Sequence, residues 1–164
     1  MFFSVLTFLS ALLNKFTLQG GQIIFSIVYA TGVLILNFLG GATLIALIAG
    51  SLYMFHSILG FLSLATFLVR GVTTDLLFLG LGVYREARTG NPSWVKIAIA
   101  MMVASFLTGL FHYLFFVIFV KMLIDFGKFI VSLIFIVAII SNGIAGFLVG
   151  KVILPRIHKT RRAT

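Results

Sequence analysis

Two ionisable residues, Arg70 and Asp75, stand inside the apolar run from Phe61 to Tyr84. An ionised side chain at bilayer depth costs about 2.5–3.5 kcal/mol on insertion scales, so each needs something other than lipid to answer it. A five-residue spacing turns about 140° around a helix, so the two do not share a face as an i,i+4 ion pair would. Each therefore seeks a partner on another helix, on a ligand or in a water-filled cavity. Arg70 lies roughly 14 Å along a helix from Phe61, close to the midplane of a bilayer. Contact with a ligand and contact with protein both remain open for it. Asp75 lies nearer the inner face, where a structural contact is expected.

Weaker polar groups accompany this pair. Ser105, Thr108 and His112 fall at i, i+3 and i+7 on one helical face; Tyr53, His56 and Ser57 cluster at the outer end of another apolar run; Ser141 and Asn142 sit near mid-depth of the last. Brought together, they line one outward-facing polar pocket with its floor near Arg70. The candidate ligand-binding residues are thus Arg70, His112, Asn142, Tyr53, His56 and Thr108.

Such a set binds rather than catalyses. The chain has no HExxH, GxSxG or phosphate-binding loop, and Asp75 alone is too little acid for intramembrane hydrolysis or group transfer. His56 and His112 differ in depth by about 7 Å, a poor match for the two axial ligands of one haem. Cysteine is absent, which removes thiolate metal sites and disulfides. No acidic ring or carbonyl filter marks an ion channel. The expectation is no catalytic residue, no metal, no cofactor and no enzyme activity.

The elements that position these residues follow from composition. Of 164 residues, 62% are hydrophobic and only 9% charged. A soluble domain carries roughly a quarter charged residues, because it must cover its core with polar surface. A soluble enzyme, a nucleic-acid-binding domain and a disordered chain are all excluded, and an integral membrane protein remains. The net charge of +9 comes from basic residues that flank apolar runs, which fits an anionic lipid surface rather than nucleic acid.

A helix needs about 20 apolar residues to cross the hydrocarbon layer, and the runs lack the alternation of barrel strands. Breaks at Gly, Asn, Pro and charge predict an all-α polytopic bundle of six transmembrane helices. They are Phe2–Phe16, Gln22–Leu39, Gly41–Leu59, Phe61–Tyr84, Ser93–Val120 and Lys128–Ile153, ending near Pro155 before a basic tail over 154–164. The first is short, so five spans are the alternative. With six, Arg85, Arg88, Lys96, Lys151, Arg156, Lys159, Arg161 and Arg162 share one side, against Lys15, Lys121 and Lys128 on the other. That bias places both termini in the cytoplasm, with the chain in the cell membrane.

Packing between the spans has its own signature. Lipid offers helices no hydrophobic reason to associate, so small residues that let backbones approach matter more. Ala42, Ala46 and Gly50 form such a stripe on the third span; Ala100, Ala104 and Thr108 form one on the fifth. Gly146 and Gly150 follow Asn142 on the sixth. These stripes face either neighbouring helices of the same bundle or a partner subunit.

The stretches GATLIALIAGSLY, Gly41 to Tyr53, and RGVTTDLLFLGLGVYR, Arg70 to Arg85, resemble the substrate-binding components of energy-coupling-factor vitamin transporters, nearest the thiamine and hydroxymethylpyrimidine type. The resemblance spans about 45 residues. It implies a six-helix bundle that captures a vitamin or precursor from outside, works with a membrane coupling subunit and a pair of cytoplasmic ATPases, and topples to release its ligand. Ala46 and Ala49 stand where the resemblance places an acid, and Trp94 lies at the inner face. An anionic or neutral polar ligand therefore suits Arg70 better than a cationic one. The expected function is a substrate-binding subunit for small-metabolite uptake. The alternative is a structural or accessory subunit of a larger membrane complex, in which Arg70 and Asp75 pair with charges on other chains. Both readings expect membrane lipids and other membrane subunits as partners.

Overall fold

The computed structural model describes residues 3–9, 20–57, 60–90, 92–118, 125, 128 and 132–157. Every element among them is helical. Helix α1 covers residues 3–9, α2 Gly20–Leu36, α3 Gly41–Met54, α4 Phe61–Gly80, α5 Val83–Arg88, α6 Trp94–Ile118 and α7 Leu133–Leu148. Among the described residues three helical stretches are long and apolar enough to cross a membrane: Phe61–Gly80, Trp94–Ile118 and Phe135–Ile157. Two more, Gln22–Leu36 and Gly41–Met54, are apolar but shorter.

Five helices close into a ring. α2 packs on α3, α3 on α4, α4 on α6, α6 on α7, and α7 returns to α2. α1 leans on this ring, with Phe3 against Gly32 of α2. The exterior is apolar, with Leu39, Leu76, Leu79, Ile118 and Ile140 all exposed. Polar groups are instead turned inward: Ser26, Thr74, Asp75 and Asn142 are buried. Apolar outside with polar groups enclosed is the arrangement a bilayer favours.

Tight junctions set the helix ends. Gly40, with φ 93°, turns the chain from α2 into α3, and Gly60, with φ 47°, precedes α4. At Gly82, with φ 71°, the chain leaves α4 and starts α5. The run expected to be one span over 61–84 is thus two helices, because the glycine pair Gly80 and Gly82 lets the chain turn at the end of α4. Ser132 caps α7 by accepting the Phe135 N–H at 3.3 Å.

The last helix also runs further than the proline suggests. After Leu148 it widens into a π turn, Val149–Ile153, with the Leu154 N–H donating to the Val149 carbonyl. Helical geometry then continues through Pro155 to residue 157. The wider turn just upstream relieves the clash that a proline ring makes with an α-helical carbonyl.

The small-residue stripes face inward. Ala42, Ala46, Ala100 and Ala104 are buried. A Cβ on Gly71 would lie 2.7 Å from the Thr43 Cα and 2.8 Å from the Ala46 Cβ, so α3 and α4 touch backbone to backbone there. Gly146 lies equally tight against Ala98, and Gly150 against Trp94. Gly50 accommodates Phe67. Each glycine or alanine in these rows is consumed by packing within the chain.

Helix direction alternates from α2 through α3, α4 and α6 to α7, which runs parallel to α2 where the ring closes, so the bundle has two unlike ends. The C-terminal ends of α2, α4 and α7, the N-terminal ends of α3 and α6, and the whole of α5 share one end. Arg85, Arg88, Lys96, Lys151 and Arg156 belong to it, and it is called the basic end below. Lys151 reaches back over Trp94 and Phe147, 5.8 and 5.2 Å from the ring centres. Lys15, Lys121, Lys159, Arg161 and Arg162 lie outside the described residues.

Candidate functional site

Arg70 sits on the inward face of α4 and is 7% exposed. Its Nη2 donates to Asn142 Oδ1 on α7 and, at 3.4 Å, to Ser26 Oγ on α2. The Ser26 hydroxyl itself donates to Asn142 Oδ1 at 2.8 Å. Asn142 uses its amide nitrogen as fully, donating to Ser105 Oγ on α6 at 3.2 Å and to the Ala138 carbonyl at 2.7 Å. One asparagine thus ties α2, α4, α6 and α7 together. The guanidinium also lies over the rings of Phe25 and Tyr29, 4.9 and 5.4 Å from their centres. Four residues apart on α2, those rings stack nearly parallel at 6.0 Å.

All of these partners are neutral. Among the described residues no carboxylate meets Arg70, and its buried Nε has no hydrogen-bond partner. Hydrogen bonds and ring faces offset part of the cost of burying the cation, but its charge stays unbalanced.

Beside the guanidinium opens a cavity of about 400 Å³ at the end of the bundle opposite the basic end. Helix α2 contributes Gln22 and Phe25, and α3 contributes Tyr53. Thr66, Phe67 and Arg70 come from α4; Ser105, Thr108, Gly109 and His112 from α6; Ser132, Phe135 and Ala138 from the start of α7. Size and mixture suit a small-molecule site, where apolar walls carry a few convergent polar groups. Gly109 is essential to that shape, since a Cβ there would lie 2.3 Å from the Phe135 ring.

Of the six residues predicted from sequence, Arg70, His112, Tyr53 and Thr108 line this cavity. Asn142 lies beneath it, hydrogen-bonded to Arg70. His56 does not line it. That side chain is exposed beyond the end of α3, with Nδ1 3.3 Å from the Leu52 carbonyl and its ring edge-on to Phe8. Thr108 spends its hydroxyl hydrogen on the Ala104 carbonyl at 2.7 Å, leaving an oxygen lone pair for a guest.

Sequence reasoning missed Ser26, Phe25, Tyr29 and Phe67. The i,i+4 spacing of Phe25 and Tyr29 was the readable signal, because it stacks two rings on one face where a cation can rest.

Asp75 serves elsewhere. It accepts the Ala42 and Thr43 N–H groups at 3.1 and 2.9 Å, the Thr43 hydroxyl at 2.6 Å and the Tyr84 hydroxyl. The donors include backbone groups in the first turn of α3, whose own cap residue is Gly40 and offers no side chain. A carboxylate from α4 therefore caps α3 across the helix–helix interface, where the helix dipole also favours negative charge. At the basic end, Glu86 accepts from Lys96 Nζ and from the Ser93 N–H at 2.9 Å. Both interactions hold its carboxyl below the ordinary glutamate value.

The described residues contain no group of three or more His, Asp or Glu able to hold a metal ion. No family model, curated protein or solved structure matches the chain. The fold and site define a helical bundle with, among the described residues, three helices long and apolar enough to cross a membrane and an open cavity that has one buried cation in its wall.

Proposed function

We propose that the chain is the membrane-embedded substrate-binding subunit of an uptake transporter for a small metabolite, energised by separate ATPase subunits. The observation that carries this reading is Arg70, a buried cation with no carboxylate partner, placed at the wall of a cavity of about 400 Å³. A purely structural arginine in lipid is answered by an acid or by backbone carbonyls, and Arg70 meets neither among the described residues. Here the nearest acid on the same helix, Asp75, is spent on the first turn of α3 and on Tyr84.

On this reading the helices form six spans in the cell membrane, with both termini in the cytoplasm. The basic end then faces the cytoplasm under the positive-inside bias, and the cavity opens to the outside. This is the geometry of capture from outside, as the resemblance to energy-coupling-factor substrate-binding components implies. No bound nucleotide is needed in the chain itself; the energy comes from a coupling subunit and its ATPase pair. An accessory-subunit role calls for Arg70 or Asp75 to reach charges on another chain, whereas their hydrogen bonds run to residues of this one.

The test is ligand retention. The chain is purified in mild detergent, denatured, and the released small molecules are identified by mass spectrometry. A stoichiometric polar metabolite is expected, and Arg70→Ala should lower its affinity more than about tenfold, the loss of one charge-assisted contact. Wild-type affinity in that variant refutes the site. A stable complex with a redox or catalytic assembly and no ATPase favours the accessory role.

A further inference from the structure

Resting on the binding-subunit reading, we infer that the cavity's ligand is an aromatic monocarboxylate, its carboxylate on Arg70 and its ring against Phe67 and Phe135. Charge is the first reason. Nη2 is committed to Asn142 and Ser26, while Nε is buried without an acceptor and Nη1 makes no hydrogen bond to the described residues. A guanidinium presents its N–H groups as a planar fork that matches a carboxylate. Arg70 is the only Arg, Lys, Asp or Glu among the described lining residues, so one negative charge balances its guanidinium. A phosphate dianion would leave a net negative charge in a low-dielectric cavity, and a neutral ligand would leave the guanidinium unanswered.

Ring chemistry is the second reason. Phe67 stands edge-on to Phe25 at 5.8 Å and tilted to Tyr53 at 5.7 Å, and Phe135 fills the space that Gly109 leaves. Phe25, Tyr53, Phe67 and Phe135 thus gather around one space, and a ring packed among them gains beyond its area. The hydroxyls of Ser105 and Thr108 and the ring of His112 give the guest polar contacts away from the carboxylate.

The experiment uses the full chain in lipid nanodiscs and three probes in equilibrium dialysis: phenylacetate, phenylacetamide and cyclohexylacetate. The first two share shape and differ in charge; the first and third share charge and differ in the ring. Phenylacetate should bind at least about tenfold tighter than phenylacetamide, a difference of 1.4 kcal/mol. It should bind about threefold tighter than cyclohexylacetate, the scale of one aromatic contact. Arg70→Gln should erase the acid preference while phenylacetamide still binds. Equal binding of acid and amide to the wild type overturns the anionic ligand and leaves the small-molecule cavity standing. Equal binding of phenylacetate and cyclohexylacetate overturns the aromatic requirement. Binding of none of the three overturns the inference, while the binding-subunit reading is decided separately by the extracted metabolite.

Discussion

Replacing Asp75 tests the cross-helix cap most directly. Its two oxygens receive four donors: two backbone N–H groups of α3, the Thr43 hydroxyl and the Tyr84 hydroxyl. Asp75 is 4% exposed, Tyr84 5% and Ala42 fully buried, so water cannot replace the lost acceptor at either of the last two. A buried donor left without a partner costs about 1–3 kcal/mol. The Ala42 N–H and the Tyr84 hydroxyl bear that cost in full, and the part-buried Thr43 groups bear less. Asp75→Ala should therefore destabilise the bundle by about 4 kcal/mol, within the range for removing one partner from a buried charged network. Asp75→Asn keeps the shape and one acceptor oxygen but turns an NH₂ toward a backbone N–H, at about 2 kcal/mol. Tyr84→Phe removes a donor rather than an acceptor and should cost about 1 kcal/mol. Combined with Asp75→Ala it should recover about 1 kcal/mol relative to additivity, since the orphaned hydroxyl is gone. The assay is equilibrium unfolding in mixed detergent and dodecyl sulfate, followed by circular dichroism. Asp75→Ala within about 0.5 kcal/mol of wild type, or strict additivity with Tyr84→Phe, refutes the cap.

Three further outcomes follow from the geometry. Gly71→Ala pushes a methyl into the backbone of α3, with 2.7 Å to the Thr43 Cα, and should cost about 1–3 kcal/mol in the same assay. Gly80→Ala, whose Cβ meets nothing within 4 Å, should be neutral or better. The clamp at Glu86 should be sensitive to acid. Its carboxyl is held below its ordinary value of 4.5 by Lys96 and the Ser93 N–H, so its contribution is present above that value and is lost as pH falls below it. Hydrogen-exchange protection over α5 and the start of α6, taken relative to the intrinsic exchange rate at each pH, should fall between about pH 5 and pH 3, a response that Glu86→Gln abolishes. Unchanged acid sensitivity in Glu86→Gln counts against the clamp.

Much of the architecture was written locally along the chain. Sparse charge and unbroken apolar runs select membrane-spanning helices, because the cost of an exposed peptide group or charge in lipid is the same whatever the neighbours. The spacing of Arg70 and Asp75 likewise forbids their pairing, since helix geometry alone separates their faces. Which partners they take instead was beyond such reading. Asp75 meets α3 because Gly71 lets the two backbones touch, and Arg70 meets Ser26 and Asn142 because the ring of helices closes α7 onto α2. The end of α4 at Gly80 and the π turn before Pro155 are local by contrast, set by the glycines at 80 and 82 and by the proline ring. Hydropathy is a property of each residue against its solvent, whereas a hydrogen-bond partner is a property of the register between two helices. In lipid no hydrophobic preference selects that register, so only the packed structure could assign the two charges their different roles.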